Sequence, residues 1–391
     1  MNIIKRGKSY RITVSLGFDN NGKRIRETYT YDPDPTMTAK QAEQAAYKYG
    51  LELENKLKRG GSVKYESLTF NQFAEIYFKE HAPTLKEYTA VQYRDIYEKR
   101  LKPHFGNMRI KNITALDVRQ WVSSLERSPG SNGKGKISDN TKGVFFRTLS
   151  SMLGVAVRWD IIDDNPCRKV KTPRNKKTAV KALQQNDFDK LFEKIDSYRD
   201  QRAVITIYLI ALTGIREGEA AGLKWQDIDF ENKVIHIERE VLYIPQKGVR
   251  VTPPKSENSI RDIFISDLLL EKLKAYKAIQ KKDISDIGDY YHDDNYIIAD
   301  YDGSPVHAST IRKWLKAVCK HCEVPYVTVH GLRHTYASLL IANGVDPRTT
   351  AAQLGHSTPS LTMNIYANPQ NEAKRRAGNL IADIAKGKKN E

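Results

Sequence analysis

The chain is poor in cysteine, with 3 in 391 residues, an odd count that argues against a disulfide framework and for a reducing cytosol. Two of the three stand in Cys319-Lys320-His321-Cys322, the spacing of half a zinc site. With no second pair, this reads as a structural pair on a helix. No apolar run approaches the ~18 residues of a membrane span, and Met1-Asn2-Ile3-Ile4-Lys5-Arg6 lacks the hydrophobic core of a signal peptide. A cytoplasmic protein without a membrane partner is expected. Carboxylates clustered for magnesium are also missing. The nearest approach to a nucleotide-binding loop, Gly130-Ser131-Asn132-Gly133-Lys134-Gly135-Lys136-Ile137, has Ile137 where a hydroxyl must ligate the ion, and no strand precedes it. No ATP site follows.

Acidic charge is the scarcer sign. There are 64 Lys and Arg against 47 Asp and Glu, for a net charge of +17. Residues 1–172 hold 31 of the former and 19 of the latter, so under half of the chain carries +12 of the excess. A balance of this kind points to a polyanionic partner, and nucleic acid fits better than membrane because no amphipathic anchor accompanies it.

The length suggests two or three domains. Ser9–Leu16 alternates, Asp19-Asn20-Asn21-Gly22 is a turn signal, and Lys23–Tyr31 reads as the returning strand. Arg11, Lys23, Arg24 and Arg26 lie among Tyr10, Tyr29 and Tyr31, and Thr38 is placed to cap a helix running to Lys58. A small sheet of this sort can enter a major groove. Arg59-Gly60-Gly61-Ser62 reads as a linker. Four helices follow, over Asn71–Glu80, Lys86–Leu101, Ala115–Leu125 and Asp139–Trp159, with Lys86, Arg94, Lys99, Arg100, Lys102, Lys142 and Arg147 spread across them. A basic linker runs from Asn165 to Lys177. Beyond it, helices are expected over Gln184–Tyr198 and Arg202–Leu212, strands at Val234–Ile237 and Ile260–Ile265, and a helix over Ser309–Cys319. Lys255 stands at the turn Pro253–Ser259.

The stretch from His330 to Tyr366 holds the chemistry. Leu332–Ile341 has helical spacing and stops at Asn343-Gly344, Asp346-Pro347 opens the next helix, and Thr358-Pro359 opens a third that carries Tyr366. His330 and Arg333 lie three apart on one face of a helix start. Alone, each residue has a bland reading: a surface His-Arg pair, a core tyrosine. Together they offer cationic donors, a base and a phenol.

Thr213-Gly214-Ile215-Arg216-Glu217-Gly218-Glu219, Lys255 on a turn, His330-x-x-Arg333, Leu354-Gly355-His356 and Ile365-Tyr366 together resemble the ordered motifs of the tyrosine recombinases, the phage integrase family. The front resembles the arm-binding domain of integrases from phages and conjugative transposons of Gram-positive bacteria. The resemblance implies an α+β, mainly helical fold: a small N-terminal β-sheet plus helix (1–64), a four-helix core-binding domain (65–172), and a mixed α/β catalytic domain (173–391) ending in an exchanged helix, Asn371–Lys386. It implies a site-specific recombinase that integrates and excises a mobile element through a 3′-phosphotyrosyl intermediate, without metal, ATP or other cofactor. Tyr366 would be the nucleophile, Arg216 and Arg333 the phosphate clamp, His330 the base, Lys255 the acid, and His356 a hydrogen-bond donor. Glu219 would orient its neighbours, while Lys224, Lys313 and His334 would stand outside the reaction. The implied partners are double-stranded DNA at core and arm sites and three further copies in a tetramer, with an excisionase and a host DNA-bending protein as candidates. Two departures stand out: Asn368 replaces a frequent histidine, and Arg239–Pro254 is long for the hairpin, which favours Lys255 over Lys247 as the acid. Two alternatives stay open, a topoisomerase of similar chemistry and an architectural or regulatory DNA binder with a decayed centre.

Overall fold

The structure, a computed structural model, describes residues 1–18, 24–58, 65, 67–125, 137–173, 181–254 and 259–355. Lys255, His356 and Tyr366 lie outside the described residues. So do the turn at 19–22, the linker at 59–62, most of the glycine-rich loop, Arg174 and Lys176, and the helices expected to begin at Thr358 and Asn371. The chain divides into two compact units, Met1–Lys177 and Thr178–Glu391.

The first unit opens with an antiparallel sheet of β1 (Asn2–Arg6), β2 (Ser9–Phe18) and β3 (Arg24–Tyr31), in that order, followed by helix α1 (Ala39–Lys58). Thr38 and Gln41 cap α1 reciprocally. The strand period of two sorts the residues onto two faces. Ile12 and Val14 are buried towards α1, and Tyr29 and Tyr31 pair with Ile12 and Tyr10 on that same face. Arg11 and Arg26 occupy the opposite, exposed face with Thr13, Thr28 and Thr30. The arginines and tyrosines adjacent in sequence are thus separated in space, the tyrosines serving the core.

The helical part comprises α2 (Phe70–Ile76), α3 (Glu87–Ile96), α4 (Lys102–Phe105), α5 (Ala115–Ser124) and α6 (Asp139–Arg158). Thr69 with Gln72 and Thr114 with Asp117 form capping boxes at α2 and α5. α2 and α3 each continue through one widened π-type turn, Tyr77–His81 and Tyr97–Leu101. An aromatic core of Phe70, Phe73, Tyr97, Phe105 and Trp121 joins the helices. Several of the basic residues have local partners. Arg94 stacks 3.8 Å over Phe78, while Lys99 and Lys102 pair with Asp95 and Glu98 one turn earlier. Exposed pairs of this kind contribute about 0–1 kcal/mol, so a phosphate can replace the carboxylate at little cost.

The second unit is built around α8 (Gln201–Thr213), which is buried on all sides from Ala203 to Ala211, as a helix without a polar stripe must be. Around it lie α7 (Gln185–Lys194), α9 (Glu217–Gly222), α10 (Asp267–Ile287), α11 (Ala308–His321), α12 (Val329–Ala342) and α13 (Pro347–Leu354). A three-stranded sheet runs β4 (Ile228–Asp229), β5 (Val234–Ile237), β8 (Arg261–Phe264). The separate hairpin of β6 (Glu240–Ile244) and β7 (Gly248–Thr252) explains the length of Arg239–Pro254. The hairpin packs on α9 closely enough that a Cβ at Gly218 would meet Val241 O at 3.0 Å. Cys319 and Cys322 are both buried in the core of this unit.

Candidate active site

Three chain segments converge through the capping chemistry of α8, α12 and α13. α8 ends at Gly214, whose φ of +66° closes the helix with a left-handed residue. A Cβ there would meet Tyr336 Cδ1 at 2.6 Å and Leu354 Cδ2 at 2.7 Å, so glycine is required for space as well as for φ. The turn delivers Arg216 just ahead of α9. Thr328 caps α12 by accepting from the Gly331 amide, which places His330 and Arg333 in its first turns. Thr335, one turn on, accepts from the Leu183 amide at 2.8 Å and pins the helix to the start of the unit. Asp346 caps α13, and Gly355 ends it at φ +64°.

Arg216, Glu219 and Arg333 meet where these ends come together. The Glu219 side chain is only 1% exposed, and its carboxylate accepts from Arg216 Nη1 at 2.5 Å and from the Arg216 amide at 2.9 Å. Burial alone would raise the Glu219 pKa. Hydrogen bonds and charge from Arg261, then Arg216, overcome that and hold it below the ordinary value. Arg333 is 4% exposed, so with His330 it does not form a surface pair. Its Nη1 donates to Gly214 O at 2.5 Å and its Nη2 to Leu354 O at 2.6 Å. Burial, then Arg216, press the Arg333 pKa down to about 9, which leaves the guanidinium charged at neutrality. Arg216 Nη2 donates to Gly355 O at 3.0 Å. Two guanidinium groups are therefore held on adjacent carbonyls, and a buried charge needs such partners.

His330 is exposed at this cluster. Its pKa is lowered by desolvation, then by Arg333 and Arg216, so it is neutral near pH 7 and able to accept a proton. His334, one turn along, lies 3.1 Å from Ser338 Oγ. Lys224 sits 4.6 Å over the Tyr296 ring, in a separate environment. Of the six expected residues, Arg216, His330 and Arg333 are thus brought together, and Lys255, His356 and Tyr366 fall outside the described residues.

Arg261 is the residue that sequence reasoning missed. Its side chain is 7% exposed and reaches both Glu219 oxygens. In β8 it shares a face with the buried Ile263 and Ile265, while Ile260, Asp262 and Phe264 point outward. Its inward position emerges from the pairing of β8 with β5, which the sequence alone does not announce.

The profile of the phage integrase family matches residues 181–373, and that of its N-terminal SAM-like domain matches 69–125. A tyrosine recombinase XerC-like protein of Caldanaerobacter subterraneus is 30% identical over 98% of both chains. The ICEBs1 integrase of Bacillus subtilis is 28% identical over 96% of this chain and 97% of its own. Among solved structures, the Tn1549 transposon integrase in complex with a circular intermediate DNA superposes with a TM-score of 0.64 at 21% identity, covering 80% of this chain and all of the other. A lambda integrase dimer bound to a core site gives 0.52 at 18% identity, over 93% and 94%. End-to-end relatedness and a shared fold agree: the chain belongs to the phage integrase family of site-specific tyrosine recombinases.

Proposed function

We propose that this recombinase cuts and rejoins double-stranded DNA through Tyr366, integrating and excising a mobile element without metal or ATP. The observation that carries the reading is the pairing of Arg216 and Arg333 on the carbonyls of Gly355 and Leu354, with neutral His330 beside them. A guanidinium has five N–H donors in a planar fork. Among the described residues, the contacts engage three donors of Arg216 and two of Arg333, which leaves others to grip non-bridging oxygens.

In the proposed step the Tyr366 phenol oxygen attacks phosphorus and its proton passes to His330. The bond to the 5′-oxygen breaks, and that oxygen takes a proton from Lys255. The product is a 3′-phosphotyrosyl link and a free 5′-hydroxyl. A free phenol titrates near ~10, so the cations that favour phenolate also favour attack. As negative charge gathers on the pentacoordinate phosphorus, the two arginines and His356 stabilise it. Attack by a 5′-hydroxyl of the partner strand reverses the sequence and reseals the DNA. Because the phosphodiester energy stays in the protein link, no nucleotide cofactor is needed.

The exposed sheet face carrying Arg11 and Arg26 is assigned to arm sites, and the helical part of the first unit to core sites. A tetramer on two DNA sites, acting in the cytosol with an excisionase and a bending protein, completes the reading. Tyr366→Phe should bind a nicked suicide duplex and form no covalent complex. Adduct formation by this variant removes Tyr366 from its role.

A further inference from the structure

The family's chemistry uses two arginines, yet a third guanidinium lies in the same cluster. We propose that Arg261 is a positioning residue of the active site: it ties the Glu219 carboxylate to the last turn of α13, fixing the Arg216 guanidinium and the backbone that leads into His356. The inference rests on the recombinase reading above.

Arg261 makes four contacts in three directions. Nη1 and Nη2 reach Oε1 and Oε2 of Glu219 at 3.2 and 3.0 Å. Nε donates to Gln353 O at 2.8 Å. Nη1 also donates to Ser259 O at 2.9 Å, at the end of the segment that bears Lys255. The last carbonyls of α13 accordingly go to three different arginines in order: Gln353 to Arg261, Leu354 to Arg333, Gly355 to Arg216. Carbonyls at a helix C-terminus lack intrahelical partners and carry the negative end of the dipole, so cationic donors suit them. Gly355 fits against this guanidinium, since a Cβ there would stand 3.0 Å from Arg261 Nη1 and 3.1 Å from its Cδ and Cζ.

Charge neutralisation of Glu219, to which Arg261 contributes more than Arg216, does not by itself account for the arrangement. Arg216 already supplies a cation at 2.5 Å, and the Nε bond to Gln353 O contributes nothing to the carboxylate. Reaching three directions at once requires the rigid fork; an ammonium on a flexible stem cannot hold that geometry. Residues that orient groups in contact with substrate typically alter rates about tenfold to a hundredfold when changed.

The test compares the full-length protein with Arg261→Lys, Arg261→Gln, Glu219→Gln and the Arg261→Lys/Glu219→Gln double variant on a nicked suicide duplex carrying the element's core site. Single-turnover covalent-complex formation is followed as a function of DNA concentration, alongside melting temperatures. Arg261→Lys should lower the maximal rate about tenfold to a hundredfold and leave the half-saturating DNA concentration within about twofold. The double variant should lose no more than the worse single variant, since both act through one unit. An unchanged maximal rate, multiplying losses in the double variant, or rate losses that merely track lost folded protein in both Arg261 variants would overturn the proposal. If the unaltered protein forms no covalent complex, the recombinase reading fails instead.

Discussion

At the scale of single residues, the cluster joins the half-buried Arg216 and the buried Arg261 through one carboxylate, Glu219, with the buried Arg333 beside them on backbone carbonyls. His330 shows how the charges act on each other. Desolvation, Arg333 and Arg216 all favour its neutral form. A base works only while unprotonated, and a lowered pKa keeps it so below the usual ~6.5. The midpoint of the fall in single-turnover cleavage rate on acidification should therefore lie below the ordinary histidine value. A midpoint at or above 6.5 would show that His330 is not the base, or that the arginines do not act on it. Glu219 belongs to the same scale. Removing one partner from a buried ion pair costs about 3–5 kcal/mol, so Glu219→Ala should destabilise the second unit by that order in chemical denaturation. Arg216, His330 and Arg333 were legible through the resemblance of their motifs to those of the family, with only the His330-x-x-Arg333 spacing readable as one helix face. Arg261 was not, since whether a strand residue points inward depends on register, and only the pairing of Val234–Ile237 with Arg261–Phe264 settles it.

At the scale of elements, the site depends on where helices stop. Gly214 ends α8, turns the chain towards Arg216, and offers its carbonyl to Arg333. Gly214→Ala combines positive φ with contacts at 2.6 and 2.7 Å, and should cost about 1–3 kcal/mol. The check is a lower melting temperature together with a reduced cleavage rate; a variant matching the parent in both would show that the turn has slack. Helix ends marked by Thr38, Asn343-Gly344 and Asp346 are readable because capping is local chemistry. Less readable was α10, 21 residues long, whose apolar stripe Leu269, Leu270, Leu273 and Tyr276 sits in a charged helix and drew no separate assignment. The sequence shows a hairpin region that is long for its place, without the bounds of β6 and β7. Its strands take their meaning from packing on α9, a tertiary fact that local pattern does not contain.

At the scale of the whole molecule, the positive charge is concentrated in the front of the chain. Residues 1–172 carry +12 of the net +17, and the front sheet and the helical part have cores of their own residues. Affinity for DNA should therefore fall steeply with salt, as counterion release requires. Deleting residues 1–64 should abolish binding to arm-type DNA while leaving cleavage at a core site within about threefold, as additivity of separate modules predicts. Footprinting both proteins on the element's ends checks this, and unchanged arm protection after the deletion would reassign the front sheet. Tyrosines and arginines that alternate in sequence separate onto opposite faces, leaving Arg11 and Arg26 outward and the tyrosines inward.

In the proposed chemistry a phenol becomes bonded to the DNA at a phosphate gripped by two arginines. Trapping the full-length protein on a suicide duplex, digesting the complex and sequencing the nucleotide-bearing peptide by mass spectrometry tests it most directly. A single modified residue, Tyr366, joined to a 3′-phosphate is the expected product. A link at any other residue, or to a 5′-phosphate, would contradict it.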